Sequence, residues 1–204
     1  MKVGIAVMRL LLAASVVAAV AATALDVLSR GPLNPFNFFG YFTMQSNIFL
    51  AAVLAVAGVH GIRGSEPPPW LGLVRGLAVT YIVIVGIVYA TLLAPFGAAG
   101  GVQSPWANFV LHVVTPILAT LDWLLIGDRD HLPMSRLLLV MIYPAVWLAV
   151  VLIRGATDGW VPYPFLDPVN GYGLIAVVCL GVCAAILLVG WLVFRASRSR
   201  LVKL

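Results

Sequence analysis

Six long apolar stretches dominate the chain, at about 3–25, 38–60, 70–94, 107–126, 136–153 and 172–194, and short segments rich in proline, glycine and charge separate them. Each is close to the roughly 20 residues that cross a bilayer's hydrocarbon core. Lipid offers no partners to unpaired backbone groups, so such stretches must be helices. The pattern predicts an all-α, polytopic bundle of six transmembrane helices, a single membrane domain over residues 1–204.

Polar positions break the pattern in two places. The second stretch opens with Thr43, Gln45, Ser46 and Asn47, and Thr43, Ser46 and Asn47 share one helical face. The fourth carries Asn108, His112 and Thr115 at the same spacing. Polar groups within a span are costly, so both faces should look into the bundle. Pro116 removes the hydrogen bond to the His112 carbonyl, which predicts a kink beside the histidine.

Charge orients these helices. Lys2, Arg9, Arg63, Arg75, Arg129, Arg136, Arg195, Arg198, Arg200 and Lys203 collect on one side, with only Arg30 and Arg154 on the other. Basic residues mark the cytoplasmic side, so both termini are expected in the cytoplasm of a multi-pass protein of a bacterial-type plasma membrane. Thr43 and His112 then each lie five residues inside the outer boundary of their predicted span, at a depth of roughly 7 to 8 Å. At one level, the two side chains can meet.

Composition narrows the function. Hydrophobic residues make up 63% of the chain and charged residues 9%, which excludes a soluble domain. No basic domain supports nucleic-acid binding, so the net charge of +5 reads as membrane orientation. Lys2 and the small residues Ala18 to Ala24 also outline a signal peptide; Arg9 interrupts it, and an even span count suits basic residues at both ends. Cys179 and Cys183, one helical turn apart, are expected to be packing residues; two ligands do not make a metal site. Stripes at Ala14, Ala18 and Ala22 and at Gly72, Gly76 and Thr80 predict close helix approach. Glu66 to Pro69 reads as a stiff turn, and the uncharged Pro95 to Pro105 connection as a loose loop. Asp26 and Arg30 read as a one-turn ion pair.

A threonine hydroxyl becomes a useful nucleophile when an imidazole can take its proton. Thr43 is therefore the candidate nucleophile and His112 its base, with Gln45, Ser46, Asn47 or Asn108 available to support an oxyanion. The alternative is structural: a threonine bonded to its own helix and a histidine bonded to a carbonyl across helices. Phe38, Phe39, Phe42 and Phe109 would suit an acyl chain. Trp160, Tyr163 and Phe165 in the outer loop Asp158 to Pro168 either anchor at the interface or close over a lipid cavity.

Thr43 early in the second stretch, His112 within Trp106 to Pro116 followed by Asp122, and Trp160, Tyr163, Pro164, Phe165 and Leu166 resemble the androgen-induced and androgen-dependent family of multispanning membrane proteins, in its prokaryotic six-helix branch. The resemblance implies a threonine hydrolase of fatty-acyl esters, with Thr43 as nucleophile and His112 as base, membrane lipids as surroundings, an acyl-ester substrate and no cofactor. Two other classes compete. A transporter or channel would line a pathway with the same polar faces, although no internal repeat is visible and few polar residues follow Asp122. A non-catalytic lipid-binding protein would use Thr43 and His112 structurally.

Overall fold

The computed structural model describes residues 2–96 and 102–198. Part of the connection expected to be loose, at 97–101, and the basic residues Arg200 and Lys203 lie outside the described residues. Among the described residues, six helices are long and apolar enough to cross a membrane: α1 (Lys2–Arg30), α2 (Phe42–Arg63), α3 (Leu71–Leu93), α4 (Pro105–Leu125), α5 (Met134–Thr157) and α6 (Tyr172–Ala196).

Local chemistry sets where they start and stop. The second helix begins at Phe42 rather than Phe38. Phe38 instead ends a separate short turn, Pro35–Phe38, whose start is capped by Asn34 Oδ1 accepting from the Phe36 and Asn37 amides. Gly40 then reverses the chain against Trp160; an added Cβ would lie 2.4 Å from that ring and 2.7 Å from the Phe36 carbonyl. At its far end α2 closes on Gly64 in the left-handed region, φ 63°. The fifth helix begins at Met134 and runs past Ile153 to Thr157. It opens as a tight 3₁₀ stretch to Met141 and becomes α-helical at Ile142. Pro144 has no N–H to donate to the Val140 carbonyl one turn back, which accounts for the change of pitch there.

Close helix approach uses other residues than the alanine stripe expected in α1. Ala14 and Ala18 face outward, while Ala6, Ala13 and Ala19 are buried. Helix α2 answers with Gly58 and Gly61, where an added Cβ would come within 2.7 Å of Leu10 and 2.8 Å of Ala6. The α3 stripe behaves as expected at Gly76, which makes room for Leu132 and Trp123.

Charge also enters the interior. Arg9 and Asp122 are each about 4% exposed at the side chain, as is Arg75. Arg9 Nε donates to Asp122 Oδ1 at 2.9 Å and Arg75 Nη2 to Asp122 Oδ2 at 2.9 Å. Asp128 closes the ring by accepting from Arg9 and from Arg75, the latter at 3.0 Å. This ring ties α1, α3 and the end of α4 together at the basic end of the bundle. Arg9 and Arg75, counted above as orienting charges, are thus internal ion-pair partners. Asp26 and Arg30 do form the expected one-turn pair.

Candidate active site

Seven threonines occur in the chain, and five of them, Thr23, Thr80, Thr91, Thr120 and Thr157, bond back to the carbonyl four residues earlier. Thr43 does not. It is the second residue of α2, and the carbonyl four positions back, on Phe39, accepts from Gln45 Nε2 at 2.7 Å. Its hydroxyl points across the bundle, 3.2 Å from His112 Nε2 and 3.3 Å from the Tyr163 hydroxyl. Thr43 and His112 are 3% and 2% exposed.

The histidine is held by a widened helix turn. Pro116 cannot donate to the His112 carbonyl, and Val110–Val114 forms a π turn closed by the Thr115 amide on the Val110 carbonyl. A second π turn, Tyr89–Leu93, precedes Pro95 in α3. The two meet where Tyr89 stacks on the His112 ring, with centroids 4.3 Å apart and planes 22° apart. Asn108 Nδ2 donates to the Tyr89 hydroxyl at 2.7 Å, fixing that tyrosine.

This setting selects the tautomer. His112 Nδ1 lies 3.2 Å from the Asn108 carbonyl, which can only accept, so Nδ1 carries the proton. Nε2 is left with a lone pair facing the Thr43 hydroxyl. The remaining hydrogen bonds are mutually consistent. The Thr43 amide, one of the N–H groups that a helix start leaves without a partner, donates to the Tyr163 hydroxyl at 3.2 Å. Tyr163 can then donate its own proton to Thr43 Oγ1, while Oγ1 donates to His112. Burial pushes the Tyr163 phenol up to about 12, the opposing hydrogen bonds from Thr43 notwithstanding, so it remains a protonated donor across the physiological range.

The four residues expected to support an oxyanion occupy different places. Gln45 serves the Phe39 carbonyl outside the site. Asn47 Nδ2 bridges the Thr43 carbonyl at 2.9 Å and the Leu111 carbonyl at 3.2 Å, binding the turn that bears Thr43 to the turn that bears His112. Asn108 acts through its own carbonyl and through Tyr89. Ser46 is buried, and its hydroxyl has no partner among the described residues. Tyr163, expected only as an aromatic contact, is the hydroxyl beside Thr43.

A cavity of about 330 Å³ opens at Thr43 and Tyr163, lined otherwise almost entirely by carbon and sulfur from α3, α5 and α6. Its lining on α6 runs from Val178 to Ile186, about 12 Å along the helix. Phe42 and Phe165 line it, as do both cysteines, but Phe39, Phe109 and Trp160 do not. Phe39 and Phe109 are about half exposed on the outside of the bundle. The reversal at Gly40 turns Phe39 away, and Phe109 sits on the α4 face opposite the buried one. Trp160 packs on Tyr41 and lies 4.2 Å from the Arg154 guanidinium, bracing the loop that delivers Tyr163. The α5 side chains Trp147 and Leu148 also line it. Among the described residues, no three His, Cys, Asp or Glu side chains gather as a metal site. No protein-family model, curated protein or solved structure matches the chain.

Proposed function

We propose that this protein is an intramembrane hydrolase of fatty-acyl esters, of the threonine-hydrolase kind that its motifs resemble. The observation that carries the reading is the Thr43 hydroxyl, 3.2 Å from the unprotonated nitrogen of a buried histidine, at the head of an apolar cavity. Thr43 Oγ1 attacks the ester carbonyl carbon as His112 Nε2 takes its proton. The Tyr163 hydroxyl donates to the oxygen that becomes negative. The tetrahedral intermediate breaks its bond to the alcohol oxygen, which leaves with the proton from His112. Water, activated by the same imidazole, then cleaves the acyl-threonine to release the fatty acid and restore Thr43. Burial of the acyl chain supplies binding at about 0.8 kcal/mol per methylene.

The basic residues clustered at the other end of the bundle support cytoplasmic termini, an orientation in which the cavity faces the outer leaflet. Helix α5, the least buried span, joins α6 chiefly through its Met134–Met141 stretch, which leaves the cavity side open to lipid. The same apolar cavity also fits a non-catalytic lipid carrier. Wild type, Thr43→Ala and His112→Ala, purified in a lipid-like environment, separate the two readings by fatty-acid release from a panel of acyl esters. Release by wild type alone supports hydrolysis; equal release by folded variants, or no release from any ester, removes it.

A further inference from the structure

A second cavity, about 420 Å³, opens at the basic end, some 15 Å along α4 from His112 to Asp122. Arg9, Arg75 and Arg129 line it, with the Pro67 to Pro69 turn and Gly72 at the start of α3.

Two of the guanidinium donors in its lining residues lack an acceptor. In the charge ring, each oxygen of Asp122 and Asp128 accepts one guanidinium N–H. Arg9 Nη2 remains buried with no partner among the described residues. Arg129 lies over the Trp123 ring, 4.0 Å from its centroid, and its terminal nitrogens donate to the Ile126 and Ala196 carbonyls. Its Nε is likewise buried and without a partner. Arg9 and Arg129 are 3% and 6% exposed. A guanidinium can only donate, so both orphaned groups call for an acceptor.

The start of α3 adds to them. Trp70 provides no side-chain cap, and the first turn holds no acidic residue. The amides of Gly72 and Leu73 have no helix carbonyl one turn back, and helix starts favour anions. Gly72 leaves the approach open, since an added Cβ would meet nothing nearer than Arg129 Cβ at 3.8 Å.

We propose that this cavity binds a phosphate oxyanion, supplied by a phospholipid headgroup or by free phosphate. The ring of Arg9, Arg75, Asp122 and Asp128 is neutral within itself, and Lys2 and Arg129 offset Glu66 and Asp130. The group is therefore held by directed N–H donors rather than by net charge, which selects a singly charged phosphodiester or dihydrogen phosphate over a polyanion.

The test uses the full chain purified in a phosphate-free maltoside detergent, with thermal midpoint as readout. Inorganic phosphate and a soluble short-chain phosphatidylglycerol are titrated separately against chloride at equal ionic strength. A saturable rise with phosphate identifies the free anion; a rise with the lipid alone identifies the headgroup. Gly72→Asp sets a carboxylate among the same donors at a helix start, where it is well tolerated. It should weaken either response at least tenfold while leaving the unliganded midpoint at or above wild type. Arg129→Gln, which removes a donor, should weaken it as well and serves if Gly72→Asp does not fold. No response in wild type to either probe, or an undiminished response in the folded variants, overturns the proposal.

Discussion

Tyr163 holds Thr43 by two atoms: it accepts from the Thr43 amide and reaches Thr43 Oγ1. Tyr163→Phe keeps the ring stacked on Phe165, 5.3 Å away, and deletes only the hydroxyl. It should cost about 1 to 3 kcal/mol in stability, because a buried amide loses its acceptor. If the phenol also stabilises the oxyanion, ester hydrolysis falls by about 10²-fold in kcat. Unfolding and steady-state rates measured together separate these effects; a stability loss with unchanged kcat would leave Tyr163 purely structural. Asp128 makes a different single-residue prediction. Burial pushes its carboxyl up, but hydrogen bonds from Arg9 and Arg75 and their charges outweigh that and hold it at about 2, against an ordinary 3.8. A depressed folded-state value contributes stability present above about pH 4 and lost as the pH falls toward 2. The contribution is about 2 kcal/mol. Acid unfolding of the wild type should steepen across that window, and Asp128→Asn should be less stable at pH 7 and flatter below pH 4.

At the scale of elements, two proline-linked π turns do what regular helices would not. One residue more in the Val110–Val114 turn changes the phase of everything before it, and one α-helical residue is worth about 100° and 1.5 Å. Pro116→Ala restores an amide able to bond the His112 carbonyl and lets the turn tighten. A proline inside a helix costs about 3 kcal/mol or more, so the variant should be at least as stable as wild type. Its hydrolysis should fall at least tenfold as His112 rotates away from Thr43. Full activity with an unchanged thermal midpoint would show that the π turn does not position His112 for the proposed reaction. The charge ring acts at this scale too. Removing one partner from a buried pair typically costs 3 to 5 kcal/mol, although the intact pair adds little over apolar packing. The ring therefore serves to fix how α1, α3 and α4 meet rather than to hold them together.

For the whole molecule, orientation is the property that gives the cavity its leaflet. In a chain with Cys179 and Cys183 replaced by serine, Thr157→Cys and Val169→Cys at the site end should react with an impermeant maleimide in intact cells. Glu66→Cys at the basic end should react only after permeabilisation. The reverse pattern would turn the cavity toward the cytoplasmic leaflet and overturn the proposed topology.

The sequence by itself determined the six helices, because a run of about 20 apolar residues admits no other structure in lipid. It also singled out Thr43 and His112, since spacing of three and four residues puts polar groups on one face and such groups must turn inward. Boundaries were less legible: the start of α2 depended on the local Asn34 cap and on the Gly40 reversal, which packs against Trp160, a residue 120 positions away. Tertiary structure alone decided the rest. Which phenylalanines line the cavity depends on helix phase, so Phe42 faces it and Phe39 and Phe109 face out. Arg9 and Arg75 look like orienting surface charges until Asp122 and Asp128 arrive beside them. Tyr163 becomes the partner of Thr43 only because Arg154, Asp158 and Trp160 hold its loop over the bundle. A local pattern fixes a side chain's direction from its own helix. Its partner is fixed by packing between segments distant in sequence.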